Sequence, residues 1–409
     1  MHHQKIGTIS HSPKTPRLIY ASGPCDAVRL HTFYQKGEDD PSHFAVIYTQ
    51  QFFDICKTLN AKAMVISWHQ RKAQMQSDML TIQHWPFKFH KGPGLLYHLE
   101  QFWKTLKLSM LAILFRADAV IVVTSWQHFY ILSLLGLFGI PVIADFHTKP
   151  ISSANRKTQL TELIKALNIH FLTHHCHAIA AVSDDIREQV QEMVGNTCKP
   201  VHVFYPTYRR QRFAGIEPPD RSRPTFNVLF VGRIEENKGV YILVEIARLF
   251  AQQHQTNIVF DICGHGSQIN KIKTIITEEN LSQSLRCHGQ LEHQDLRAMY
   301  NRSHVVIVPT KTTFNEGFNK VVLEAILSGR PVITSSACPA LRAVAEAAIA
   351  VPPDDANAYS HAVLSLYQDR DLYSTKQQSA LALQRKFYDR DKSWEVTLEH
   401  IIAPILSPP

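Results

Sequence analysis

The sequence predicts an α/β protein made of two Rossmann-like domains that face each other across a cleft. Three observations carry that prediction. Short apolar runs alternate with helix-length segments, which implies parallel sheets with right-handed crossovers. The alternation stops near Pro206 and starts afresh near Asn227. The 409 residues, 45% hydrophobic and 19% charged, give length for two or three domains and an ordinary globular composition. A disulfide-stapled miniprotein, a disordered polyelectrolyte and a fibrous rod are excluded.

In the first half the strand-like runs are Leu18–Ala21, Ala63–Ser67, Met79–Ile82, Ala119–Thr124, Val142–Phe146 and Ala178–Val182, each expected to be separated from the next by a helix-length segment. Between Asp118 and Asp145 lie 26 residues without Asp, Glu, Lys or Arg, long enough to cross a bilayer. Their texture favours another reading. A β-branched run, a Leu-rich stretch from Phe129 to Phe138, a turn at Gly139 and Pro141 and a second β-branched run spell strand, helix, turn, strand. The preceding segment, Leu95 to Phe115, mixes large apolar residues with Lys104 and Lys107; it suits core packing first and a helix lying on a bilayer surface second.

Residues 206–224 are rich in Arg and Pro, without apolar periodicity, and read as a linker. The second half begins with a strand at Asn227–Val231, a helix from about Gly239 to Gln253 and a strand at Ile258–Cys263. Further strands are expected at Val305–Val308 and Val332–Thr334, with helices near 292–302 and 319–328. The predicted organisation is a first domain over 1–205, the linker, a second domain over 225–388, and a terminal amphipathic helix within 389–409 that packs back on a domain. Two such sheets joined by one linker set their strand carboxyl ends across a cleft, where ligands bind in open α/β folds.

The formal net charge of +8 is unevenly spread. Residues 1–205 carry 20 basic and 14 acidic residues, the linker 5 and 2, and residues 225–409 carry 18 and 19. A basic first half facing a phosphorylated acceptor or a lipid surface is one reading, nucleic acid another, and a charge serving only solubility a third. The near-neutral second half does not encourage nucleic acid. The seven cysteines, Cys25, Cys56, Cys176, Cys198, Cys263, Cys287 and Cys338, contain no C-x-x-C pair and read as buried thiols in a reducing compartment. No apolar stretch follows the charges of the first twenty residues, so a cytoplasmic protein is expected, with peripheral contact at the cytoplasmic face of a membrane as a further option.

The strongest chemical signal is the run from Glu316 to Glu324, EGFNKVVLE. If Gly317 to Lys320 is the turn entering a helix, free backbone N–H groups at its amino end face an anion, and the two carboxylates flank that point as acceptors for hydroxyls. Phosphate in the middle with hydroxyls on both sides describes a nucleotide sugar. An acidic cap beside a solvated glutamate accounts equally well for such a pair standing alone. A second signal opens the same domain. Gly232 permits close backbone approach after a strand, Arg233 offers a bidentate grip on phosphate oxygens, and Lys238 adds a point charge before Gly239. A third, Cys263-Gly264-His265-Gly266, is a tight strand-to-helix turn and not a dinucleotide fingerprint.

Together these segments resemble the retaining glycosyltransferases of family 4, which have the two-Rossmann GT-B fold. The resemblance runs through VGRIEENKG (231–239), FDICGHGS (260–267), HGQLEHQDLRAMYNRSHVVIVPT (288–310) and EGFNKVVLEAILSGRPVI (316–333), in the family's order and approximate spacing. It implies that the first domain binds the acceptor and the second the nucleotide sugar. Glu316 would contact donor-sugar hydroxyls and Glu324 the ribose. The amides of Phe318, Asn319 and Lys320, beside Gly317, would reach sugar and diphosphate, with Gly232 and Gly264 lining the donor site. Arg233 and Lys238 would neutralise the leaving diphosphate without a metal or other cofactor. The first half resembles the family only in outline. Pro141 to Thr148 is similar to the strand ending in the family's active-site histidine, which makes His147 the candidate, and Ala178–Ser183 resembles the strand before the linker-side helix. Where many relatives carry a Gly-rich loop after the first strand, Tyr20 to Asp26 keeps only Gly23.

The resemblance thus implies transfer of a sugar from a UDP- or GDP-sugar to a hydroxyl of a glycan or lipid-linked intermediate. A catalytically weak nucleotide-sugar-binding protein, an epimerase and a phosphorylase are the other readings; no sequence feature marks a pyridoxal-phosphate lysine. The cluster His170, His174, His175, Cys176 and His177 has one i, i+4 histidine pair but lacks the glutamate of a zinc-protease helix. Asp369-Arg370-Asp371 and Asp389-Arg390-Asp391 imitate a metal-binding D-x-D yet fall in the helical tail, and read as solvated charges. No serine-hydrolase elbow or P-loop lysine motif is present.

Overall fold

The computed structural model describes residues 15–41, 44–87, 94–150, 158–195, 199–219, 222, 224–314 and 316–407. Eight strands form the first sheet: β1 (Arg17–Pro24), β2 (Lys62–Trp68), β3 (Gln74–Gln76), β4 (Leu80–His84), β5 (Ala119–Val123), β6 (Val142–Phe146), β7 (Ala178–Ala181) and β8 (Val201–Val203), in the order β3-β4-β2-β1-β5-β6-β7-β8. All pairings are parallel except β3 with β4. The connections are α1 (Ala27–Lys36), α2 (Tyr48–Thr58), α3 (Leu95–Phe115), a 3₁₀ segment (Phe129–Phe138), α4 (Gln159–His174) and α5 (Asp184–Val194).

The second sheet has six parallel strands, β9 (Phe226–Val231), β10 (Ile258–Cys263), β11 (Leu285–Gly289), β12 (Val305–Val308), β13 (Val332–Ser335) and β14 (Ala348–Val351), ordered β11-β10-β9-β12-β13-β14. Between them run α6 (Val240–Gln252), α7 (Ile269–Glu278), α8 (His293–Arg302), α9 (Lys320–Leu327) and the short α10 (Leu341–Val344). Then follow α11 (Ala356–Gln368), α12 (Arg370–Tyr388) and α13 (Trp394–Leu406). Two parallel α/β sheets facing each other are the GT-B arrangement.

Local chemistry accounts for the boundaries. Asp26, Ser183, Asn319 and Ser393 each cap a helix by accepting from a backbone N–H two or three residues on, and Thr158 forms a capping box with Thr161. The charge-free stretch resolves into β5, the 3₁₀ segment and β6, both strands fully buried. The Leu-rich piece is therefore 3₁₀ where an ordinary helix was expected. Among the described residues no helix is long and apolar enough to cross a membrane.

The expectation of a helix between every pair of runs fails once. From β2 the chain turns back through β3 and reaches β4 without a helix. Asp369 and Asp389 are also more than solvated charges, since each accepts from backbone N–H groups and starts a helical segment. The six described cysteines are free thiols, and Cys198 lies outside the described residues.

Two contacts tie the linker and the carboxyl-terminal tail to the domains. Arg330, fully buried, donates to the carbonyls of Ser303, Ser328, Asn301 and Glu217, so the linker is fastened to the second domain; burial lowers its pKa to about 10. Trp394 carries the tail home to the first domain, where α13 packs on α2. Its ring is fully buried against Tyr20 and Tyr48, and its Nε1 donates to Asp145 Oδ2 at 2.8 Å. Truncating so large a buried side chain costs about 3–5 kcal/mol. Trp394→Ala is therefore expected to lower unfolding stability by that amount in a urea titration; a loss below about 1 kcal/mol would contradict the packing role.

Candidate functional site

The cleft is formed where the carboxyl ends of β1, β5 and β6 meet those of β9 and β12. Its tightest point is Gly317. A Cβ there would sit 2.0 Å from the carbonyl oxygen of His147, so only glycine lets the loop before α9 touch the end of β6. One turn on, the Lys320 amine donates to Val46 O at 2.7 Å and lies 4.5 Å from the centre of the Tyr48 ring. Burial between the domains pulls its pKa down to about 8, with Glu324 opposing the shift.

Two cavities meet at this point. One, of about 280 Å³, belongs to the second domain and is lined by Gly232, Arg233, Lys238, Thr310, Glu316 and Asn319, with Phe318 and Lys320 at its edge. The other, of about 410 Å³, is lined by Ser22, Gly23, Tyr48, Thr124, Ser125 and His147 of the first domain, and again by Phe318 and Lys320.

In the smaller cavity Glu316 is the hub. Its Oε1 accepts from Lys238 Nζ at 2.7 Å and its Oε2 from Asn319 Nδ2 at 3.1 Å, while Asn319 Oδ1 caps the Val321 amide. Lys238 Nζ also lies 4.0 Å from the centre of the Phe314 ring, over which the Arg233 guanidinium stands at 5.2 Å. Thus two cations, one carboxylate and the amino end of α9 converge on one space. Gly264 does not line it. A Cβ at Gly264 would sit 1.8 Å from the carbonyl oxygen of Gly232, so this glycine lets β10 and β9 end side by side.

Glu324 also lies away from the cavity. It is 2% exposed, and its oxygens accept from Tyr208 of the linker and Tyr300 of α8, each at 2.8 Å. Burial raises its pKa, and the Tyr300 and Tyr208 hydrogen bonds hold the rise back. The two glutamates therefore differ in environment: Glu316 faces the cavity, while Glu324 is satisfied by tyrosines that the sequence did not single out.

His147 sits at the first-domain side of the junction. Its Nε2 lies 2.6 Å from Oδ2 of the fully buried Asp145, which also accepts from Trp394 Nε1. Tyr48 packs on the imidazole at 4.3 Å, and His147 Nδ1 has no hydrogen-bond partner among the described residues. Asp145 and Trp394 fix the ring, and neither was read as part of a site. Asp145 stands two residues before His147 on the same face of the strand, a signal that strand alternation could have given. Trp394 is 247 residues downstream and left none. Elsewhere His170 and His174 stack at 4.5 Å, and among the described residues no group of three or more His, Cys, Asp or Glu is placed to hold a metal ion.

Comparisons with known proteins bear on the family and the fold. The family model described as Glycosyl transferases group 1 matches residues 218–381, and that of Glycosyltransferase Family 4 matches residues 60–212. A Mycobacterium tuberculosis protein named glycogen synthase is 22% identical over 209 residues, 50% of this chain and 49% of its own. A Corynebacterium glutamicum D-inositol 3-phosphate glycosyltransferase is 30% identical over 179 residues, 42% of this chain and 40% of its own. The alignments thus span about half or less of these relatives.

Among solved structures, Anabaena HepE in complex with UDP superposes with a TM-score of 0.65 at 14% identity, covering 96% of this chain and 99% of that one. Sucrose-phosphate synthase from Thermosynechococcus elongatus gives 0.66 at 16% identity, covering 95% and 97%. At such identities these neighbours speak for the fold.

Two outcomes test the site's electrostatics. Lys320 holds its proton less tightly folded than unfolded, so its contribution to stability rises with pH from about 8 towards 10.5. Any stability advantage of Lys320→Met over the parent chain should shrink across that window in parallel thermal melts, and an advantage that stays constant would refute the shift. Tyr208→Phe removes one donor from buried Glu324 and is expected to cost about 1–3 kcal/mol in denaturant unfolding.

Proposed function

Because the chain belongs to the family 4 glycosyltransferases, we propose that it is a retaining, metal-independent transferase that moves a sugar from a nucleotide-diphosphate sugar to a hydroxyl acceptor. The observation that carries this reading is the junction at Gly317, where the cation-and-carboxylate cavity of the second domain opens beside His147 of the first. The donor is a UDP- or GDP-sugar in the smaller cavity. The acceptor, a glycan or lipid-linked intermediate, enters the larger one, whose polar lining consists of hydroxyls, the Cys25 thiol, His147 and Lys320.

The physical demands of the reaction match these groups. The bond between the anomeric carbon and the diphosphate oxygen breaks, and negative charge gathers on the departing diphosphate. Arg233, Lys238 and the amino end of α9 stabilise that charge, which is why no metal is needed. The acceptor oxygen bonds to the anomeric carbon on the face the diphosphate leaves, and its proton passes to the departing phosphate oxygen. Glu316 receives hydrogen bonds from donor-sugar hydroxyls in exchange for part of its pairing with Lys238. His147, oriented by Asp145, contacts the sugar or the diphosphate. Glu324, enclosed by Tyr208 and Tyr300, does not touch the donor and instead holds α9 and the linker in place behind the cavity.

A thermal-shift screen across UDP-, GDP- and ADP-sugars is expected to raise the melting temperature for one base, with nucleoside diphosphate released on turnover. Absence of both would overturn the reading, while binding with neither release nor transfer would leave a nucleotide-sugar-binding protein. Lys238→Ala and Glu316→Ala should each lower transfer by about 100-fold or more with the fold intact, measured as product formed per enzyme.

A further inference from the structure

Helix α3 is built inside out. Its buried face carries His98, Gln101, Thr105 and Ser109 beside Leu108 and Ala112. Its solvent face carries Leu96, Leu99, Trp103, Met110 and Leu114 at helical spacing, with Lys107 in the same stripe; Trp103 is 63% and Leu114 76% exposed. Most of the buried polar atoms are paired, His98 Nε2 and Gln101 Oε1 being the two without a hydrogen-bond partner among the described residues. Thr105 and Ser109 hydroxyls donate to carbonyls four residues back, Gln101 Nε2 donates to Tyr97, and the His98 Nδ1 lies 3.2 Å from His128 Nε2. The helix therefore sits in the orientation its contacts dictate, and the apolar stripe is left outside.

The stripe continues onto its neighbours. The 3₁₀ segment packs between α3 and α4 and exposes Leu134, Leu137 and Phe138, and α4 exposes Leu160, Leu163 and Leu167. Of the fourteen exposed large hydrophobic side chains among the described residues, twelve lie on these three elements. Singly exposed apolar residues are normal on a protein surface, whereas a contiguous field of this kind marks a docking face.

The charges on this face choose the occupant. Lys107 and Arg116 stand on or beside it, the Lys107 amine 4.3 Å from the centre of the Trp85 ring, while Lys165 pairs with Glu162 at 3.9 Å and Lys104 with Glu100 at 3.0 Å, which leaves a small positive excess. A two-fold contact centred on the α3 stripe would set Lys107 against its own copy. Apolar side chains with an exposed tryptophan and a basic rim suit the boundary between acyl chains and anionic headgroups. We propose that the face formed by α3, the 3₁₀ segment and α4 docks on the surface of a bilayer containing anionic lipid. These elements start from the carboxyl ends of β4, β5 and β6, the edge on which His147 lies. On the transferase reading, docking would also hold the larger cavity beside the headgroups; the docking itself does not depend on that reading.

The test is co-sedimentation of the full chain with vesicles, without donor or acceptor, so that failed binding and failed transfer are read separately. Vesicles of phosphatidylcholine with one third phosphatidylglycerol are expected to bind at least about tenfold more tightly than phosphatidylcholine alone, with binding weakened by salt. Leu99→Gln with Trp103→Gln, and separately Leu137→Gln with Phe138→Gln, should each weaken binding about tenfold at unchanged melting temperature. Lys107→Glu with Lys165→Glu should abolish the preference for anionic lipid. The proposal is overturned if the parent chain does not bind, if the folded apolar variants bind as it does, or if the chain is a dimer that those variants dissociate.

Discussion

The approach of α9 to the end of β6 is the constraint on which the cleft depends. A glycine with no side chain lets the Gly317 backbone rest against the His147 carbonyl, and the Lys320 amine then reaches Val46 O across the gap. Any larger residue at position 317 would hold the domains apart at the point where the two cavities join. The cation that bridges them is poorly solvated there, so closure carries an electrostatic cost that the hydrogen bond and the Tyr48 ring only partly offset. A contact of this type is well suited to opening and closing, because the charged group regains water when the domains separate.

The sheet centres were legible and the sheet edges were not. Central parallel strands such as β5 and β10 are buried on both faces, so they appear as unbroken apolar runs. The edge strand β11 alternates, exposing Arg286 and His288, and β8 is only half-buried, so neither forms such a run. The same logic applies to the site. Glu316, Lys238 and Arg233 lie within one domain, in loops that directly follow strands, and their spacing exposed them. Tyr208, Tyr300 and Trp394 act through contacts made over long stretches of chain, which a period or a motif does not encode. Helix α3 shows the limit most clearly: its period separates a polar face from an apolar one, but only the packing decides which face meets the sheet.

The two glutamates of the E-x7-E run show how identical residue types diverge by environment. Glu324 is enclosed, and two tyrosine hydroxyls replace the water it has lost; its carboxylate is a fixed anchor joining the linker, α8 and α9. Glu316 stays at the cavity wall and is neutralised by a lysine whose amine also rests against an aromatic face. The anchor holds the linker in register with the second domain, and the linker in turn is clamped by Arg330 through Glu217. Geometry at the cavity therefore depends on buried contacts that never touch it.

The Lys238–Glu316 pair also bears on selectivity in the proposed reaction. An anion alone can draw Lys238 away, but it leaves Glu316 with fewer donors and repels it. A ligand bearing hydroxyls alone satisfies Glu316 but offers nothing to Lys238 or Arg233. A molecule that presents phosphate oxygens and sugar hydroxyls a few ångströms apart satisfies both members at once, and the cost of loosening the pair is then met from two sides. The pair thus favours a sugar joined to its diphosphate over either fragment, and it favours the intact donor by penalising the parts rather than by adding contacts to the whole.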